Sequence, residues 1–323
     1  MKTTLSAAAL AASFVVSLTY SHASLAQQST ATLTQTGTNN SAGIEQETAL
    51  RTQAVITQTG NDNIAGGATA EGGIVQRSSR GMATITQDGN RNLAGILQQR
   101  TTTHATATVN QAGDDNLALI SQVGNFSPAV DVLQAGTGNA VYVNQSGVDN
   151  LVQTRQTGAD NLITVDQNGA AYGGPVITQD GIGNRVALTQ YSDAYTGGIT
   201  VSQTGMRNNA TIVRSSSSFG DGTSIVQNGM DNQATHTGSG GRSPSSIIQN
   251  GDANTASVTK SLNYNGSTIM QTGNLNAATV VQSGVTLPGL QPANVATIIQ
   301  AGDGFVASIA QAGSGNVGTI YQH

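Results

Sequence analysis

The sequence predicts an all-β chain wound into a β-solenoid of about twelve stacked strand-turn-strand rungs, and three observations predict it. A Q-x-G-x-x-N unit recurs throughout; between Leu133 and Gln167 its glutamines, Gln134, Gln145, Gln156 and Gln167, fall every eleven residues. Aliphatic or small residues stand two and four places before most of these glutamines, as Val130 and Val132 do before Gln134. Side chains alternate across a strand, so all three share one face. Paired units repeat mostly every 22 to 24 residues, within the period of roughly 20 to 50 residues that marks solenoids.

Each element follows from the unit. Val130, Val132 and Gln134 form the inward face of a first strand. Gly136 and Asn139 then supply positive backbone dihedrals cheaply, and the chain bends. Val141, Val143 and Gln145 face inward on the return strand. Two strands and two bends close a rung.

Thirteen full motifs begin at Gln35, Gln58, Gln87, Gln111, Gln134, Gln145, Gln156, Gln179, Gln203, Gln227, Gln249, Gln271 and Gln311. The rungs are headed by Gln35, Gln58, Gln87, Gln111, Gln134, Gln156, Gln179, Gln203, Gln227, Gln249, Gln271 and Gln300, with a last half unit ending at Gln322. At a rung spacing of about 4.7 to 4.8 Å each heading Gln lies above the next, in an amide ladder of the cross-β kind. The motif asparagines Asn40, Asn63, Asn92, Asn116, Asn139, Asn161, Asn184, Asn208, Asn232, Asn254 and Asn276 stack likewise.

Residues 1–26 read as a secretory signal, leaving 27–323 for the solenoid. Lys2 starts it, Leu5 to Val16 form its apolar core, and Ser21-His22-Ala23 or Ser24-Leu25-Ala26 offers a small-x-small site, with cleavage after 23 or 26. The apolar run is too short for a membrane anchor. Two rung spacings of 29 residues imply surface excursions at Gly66 to Gly73 and Gly284 to Ala293. Pro128 and Pro244 fall in bends, whereas Pro175 takes an inward strand position and reads as a misfit.

In the C-terminal half the second strand loses its Gln: Arg214, Gly238 and Lys260 close rungs eight to ten. A buried, unpartnered cation is costly, so Arg214 and Lys260 are expected to swing out to solvent and to act as gatekeepers against premature aggregation. On the turn after the heading Gln of each rung, the charged residues among those standing before the Asn are Asp62, Arg91, Asp115, Asp160, Arg207 and Asp231, with no two Asp on adjacent rungs. Opposite charges on neighbouring rungs attract modestly, so these turns read as charge-patterned gatekeepers for in-register stacking.

Composition agrees and removes function classes. Of 323 residues only 9% are charged and 3% aromatic, with 40 glycines, where a globular domain carries about a quarter charged residues. Cysteine is absent, excluding disulfides and thiolate sites. Net charge is −5 and the 12 Lys and Arg are dispersed, so no nucleic acid is expected as a partner. His22, His104, His236 and His323 are scattered and build no catalytic cluster, so the chain reads as no enzyme, with no cofactor. A calcium β-roll uses a nonapeptide repeat and many acidic oxygens, whereas here the period is eleven and many turns lack an acid.

The stretch Ala83-Thr84-Ile85-Thr86-Gln87-Asp88-Gly89-Asn90-Arg91-Asn92-Leu93-Ala94, continuing to Gln98, resembles the curlin repeat of curli subunits, the functional amyloids of bacterial biofilms. The resemblance extends over roughly Ala31 to Gln322. It implies a secreted structural subunit that stacks end to end with copies of itself into extracellular adhesive fibres at the cell surface. It implies as further partners a nucleator subunit and an outer-membrane secretion pore. A nucleator subunit of such fibres and a monomeric β-solenoid adhesin are the alternative readings. A β-helical polysaccharide lyase would need a local cluster of Asp, Arg or Lys that the sequence does not show.

Overall fold

Alternation of inward aliphatic and outward polar residues, punctuated by glycine bends, leaves the chain one economical arrangement, and the computed structural model shows it. The structure describes residues 2–9, 14–20, 29–47, 51–65, 73–77, 79–99, 104–169, 174–191, 198–215, 222–284 and 293–323. They are strands and bends, in two compact units, Met1–Gln167 and Asn168–His323.

In the first unit the first strands of six rungs, Ser29–Thr36, Gln53–Asn61, Met82–Asn90, Thr106–Asp114, Ala129–Thr137 and Leu151–Ala159, pair parallel. Register is residue for residue: Gln35 opposes Gln58, Gln58 opposes Gln87, and Gln87 opposes Gln111. The return strands, among them Asn40–Glu47, Leu93–Gln99 and Leu117–Phe126, build a second sheet. Between the sheets lie two aliphatic columns, Leu33, Ile56, Ile85, Val109 and Val132 on one side and Ile44, Ile74, Ile96, Ile120, Val143 and Val165 on the other, all buried. Burying each such side chain stabilises by roughly 1.5 to 3 kcal/mol. A one-residue slip would turn a whole column outward, so the pattern sets the register.

The second unit repeats this plan with six rungs, from Pro175–Ile182 and Arg185–Tyr191 to Asn294–Ala301 and Val306–Ala312, followed by the half rung Val317–Gln322. Its columns are Ile177, Val201, Ile225, Ile247, Ile269 and Ile298, and opposite them Leu188, Ile212, His236, Val258, Val280 and Ile309. His236 is the polar intruder.

Four details refine the expectations. Pro175 is the buried first residue of its strand, where a missing N–H is tolerated, and is no misfit. Pro128 and Pro244 stand in bends; the Pro128 carbonyl accepts from the Thr106 N–H of the preceding rung and the Pro244 carbonyl from the Ser267 N–H of the next. Residues 66–72 and 285–292 lie outside the described residues, but Ile64–Ala65 and Gly73–Arg77 both pair with Leu93–Gln99, so the first excursion splits a return strand. The strands Lys2–Ala9 and Phe14–Tyr20 pair antiparallel with Asn40–Glu47 and Ser29–Gln35, whereas the cleavage sites at 21–26 lie outside the described residues.

Candidate functional site

The groups that could serve an assembly are those linking rung to rung. On the first strands the glutamines are fully buried, and each Nε2 donates to Oε1 of the next: Gln35 to Gln58 at 2.7 Å, Gln58 to Gln87 at 2.8 Å, Gln87 to Gln111 at 2.9 Å, Gln111 to Gln134 at 2.9 Å, and Gln134 to Gln156 at 2.8 Å. In the second unit Gln179, Gln203, Gln227, Gln249, Gln271, Gln300 and Gln322 continue the pattern at 2.8 to 2.9 Å. Most of these amides also donate across to the other sheet: Gln87 to the Ile64 carbonyl at 3.3 Å and Gln111 to that of Leu93 at 3.1 Å. One side chain thus joins rungs along the stack and sheets across it. A buried amide with both needs met avoids the roughly 1 to 3 kcal/mol cost of an orphaned group.

The asparagines form a second ladder at the bend. Asn63 Nδ2 donates to Asn40 Oδ1 at 3.2 Å, Asn92 to Asn63 at 3.1 Å, Asn116 to Asn92 at 3.1 Å, Asn139 to Asn116 at 3.1 Å and Asn161 to Asn139 at 3.0 Å. Asn208, Asn232 and Asn254 repeat this above Asn184, and the backbone N–H of Asn276 donates to Asn254 Oδ1 at 3.0 Å. Here the donor points to the preceding rung, opposite to the glutamine ladder. The two rows of amide dipoles therefore oppose each other along the stack while each row remains internally cooperative.

The bend itself corrects one expectation. Positive φ belongs to the motif glycine and to the residue before the asparagine, as in Gly89 at 127° and Arg91 at 55°, and not to the asparagine. Asparagine is reserved for its side chain, which caps the bend and receives its neighbour. Glycine is required twice over: a Cβ on Gly89 would stand 2.0 Å from the Gly113 carbonyl oxygen.

The left-handed position carries the charges. Arg91 donates to both Asp115 oxygens at 2.7 Å, and Arg207 to those of Asp231 at 2.8 and 2.6 Å. These exposed contacts hold both carboxyls below the usual range, chiefly through the arginine hydrogen bonds. Asp62 and Asp160 form no ion pair among the described residues.

A correction concerns Arg214 and Lys260, which do not swing out: they are 6% and 2% exposed. Lys260 stays in because its Nζ donates to the carbonyls of Ser243 at 3.1 Å, Asn265 at 2.8 Å and Pro244. Backbone oxygens thus replace the water that solvation required. The return-strand ladder is correspondingly interrupted, and Gln282 Oε1, which faces Lys260 in register, is buried without a partner.

Sequence reading missed part of the return-strand ladder. Gln46 donates to Gln76 at 2.9 Å and Gln76 to Gln98 at 3.0 Å. Neither is followed by Gly, so only the alternation Ala42, Ile44, Gln46 could have revealed them. At the other bend Asn316 donates to Asn294 at 3.0 Å and Asn294 to Asn265 at 2.9 Å. Asn265 follows a motif whose Gln and Gly are gone, and Asn294 follows an excursion.

Fold and ladders together define a β-solenoid held by stacked amides, and no group of three or more His, Asp or Glu that could hold a metal occurs among the described residues. Residues 82–113 match the model of the Curlin associated repeat family, a structural and non-enzymatic family. The match spans the rung headed by Gln87 and the next first strand through Gly113. Among curated proteins none matches the chain.

Proposed function

We propose that the chain is a secreted structural subunit that polymerises, rung upon rung, into a curli-type extracellular fibre at the bacterial surface. The observation that carries this reading is self-complementarity. Gln58 meets Gln35 and Gln87 through the same donor and acceptor, in the same register, as Gln227 meets Gln203 and Gln249. A rung built this way presents one pattern of amides, glycine carbonyls and aliphatic side chains to either neighbour. A rung of a second copy satisfies that pattern as well as a rung of the same chain, and parallel in-register stacking of this kind is what gives cross-β fibres their stability. The matched curlin repeat supports the same role.

Thioflavin T fluorescence and electron microscopy on the mature chain, refolded from denaturant at micromolar concentration with and without calcium, test the proposal. Calcium-independent fibres are expected. A stable soluble monomer would replace the fibre reading with that of a solitary adhesin. A chain that binds membranes and seeds the assembly of another subunit, without forming the bulk fibre itself, would have the nucleator role.

A further inference from the structure

On the return strands of the second unit the amide column runs Gln190, Arg214, Gly238, Lys260, Gln282. Beside it in the aliphatic column stands His236, between Ile212 and Val258. Because Gly238 contributes no side chain, the imidazole leans into its place: a Cβ on Gly238 would lie 2.8 Å from the ring's Cε1. His236 is 3% exposed, and neither Nδ1 nor Nε2 has a hydrogen-bond partner. The charged groups facing it are Arg214 on the strand Asn209–Ser215 and Lys260 on Thr255–Ser261. The inward residues of the first strands of the Gln227 and Gln249 rungs are Thr223, Ile225, Gln227, Ser245, Ile247 and Gln249, none of which ionises. No carboxylate acts on the ring.

We propose that His236, Arg214 and Lys260 form an acid-opened seam, at which protonation of the histidine releases the rungs headed by Gln203, Gln227 and Gln249 while the other rungs stay closed. A proton on this ring would have no acceptor, would be buried away from water and would sit between two cations. In the opened strand the imidazole meets water and takes the proton at its ordinary pKa, about 6.5. Burial first, then Lys260 and Arg214, lower the closed-state value to about 3. The closed seam is therefore at full stability above pH 6.5 and loses it progressively as pH falls toward 3, because the open form binds the proton first. This rests on the fold alone and holds whether or not the chain polymerises.

Amide hydrogen exchange on the full chain near pH 7 and near pH 5, corrected for intrinsic rates, reads the seam directly. From the two pKa values the opening constant of residues 233–238 and 255–261 is expected to rise roughly 25-fold between those conditions, while the equivalent strand 117–126 of the first unit does not follow. In His236→Val, which restores the branched aliphatic of Val258, the selective rise should vanish. An equal rise in both units, or a rise that survives the substitution, overturns the proposal. Should the variant not fold, imidazole NMR on the unaltered chain decides: His236 is expected to stay neutral near pH 5, and a titration midpoint near 6.5 overturns the seam.

Discussion

At the scale of single residues, the motif spends its three named positions on three different problems. Gln both donates and accepts inside a dry core, Gly lets the bend of one rung lie against the carbonyl of the next, and Asn closes the bend with its side chain. Gly89 shows how narrow the tolerance is. At φ 127° an L side chain is strained, and the Cβ would also collide with the Gly113 oxygen. Gly89→Ala must therefore push two rungs apart as well as carry backbone strain, and each residue forced into left-handed space costs about 1 to 2 kcal/mol before any collision. Urea denaturation should show a loss of more than about 2 kcal/mol; a midpoint equal to that of the unaltered chain would mean that the bends do not stack. Arg91 makes the complementary case. Arg91→Asp removes the pair with Asp115 and puts three carboxylates on consecutive bends with Asp62. The pair is exposed, so its effect belongs in rate and salt dependence rather than in equilibrium stability. Assembly followed by thioflavin T should slow and become more salt-sensitive, and an unchanged rate would sink the idea of charge-patterned bends.

At the scale of elements, the strands were legible because their signal is periodic and carried by types that stand in for one another. Leu33, Ile56, Ile85 and Val109 differ in name yet hold one column. What stayed hidden was context. Gln46 and Gln76 occupy ladder positions without the glycine that marks the motif, and no single residue near Lys260 announces that three carbonyls will converge on its ammonium. The cost of desolvation that predicts an exposed Lys260 is offset by backbone oxygens from three separate positions, which no local sequence signal marks. The interruption that Arg214 and Lys260 cause still has a consequence. Gln282 Oε1 lacks the donor that Gln98 Nε2 gives Gln122 at 3.0 Å in an intact return strand. Lys260→Gln supplies that amide and removes a buried charge, and orphaned buried acceptors cost roughly 1 to 3 kcal/mol each. The variant should unfold at higher urea and form fibres faster. If it is less stable, the three backbone contacts of Lys260 outweigh the missing ladder bond, and the residue is a staple rather than a gatekeeper.

At the scale of the whole molecule, a chain built from nearly identical rungs should behave as a sum of rungs and rung interfaces. In the first unit this is testable because Val132 and Thr154 stand at the same inward position of successive first strands, and Leu133 and Arg155 at the same outward one. Deleting residues 133–154, a span of 22 counted inclusively, joins Val132 to Arg155 and brings Gln156 onto Gln111 with every column intact. Deleting 133–153, one residue fewer, places Val132 and Thr154 side by side and turns the following side chains to the wrong face. The first variant should fold with a β-sheet circular dichroism spectrum like that of the full chain and a modest loss of stability. The second should lose several kcal/mol or fail to fold, since each misplaced aliphatic forfeits roughly 1.5 to 3 kcal/mol of burial. Equal stability of the two would show that register is not set by the columns, and the argument for a second copy adding as one more rung would fall with it.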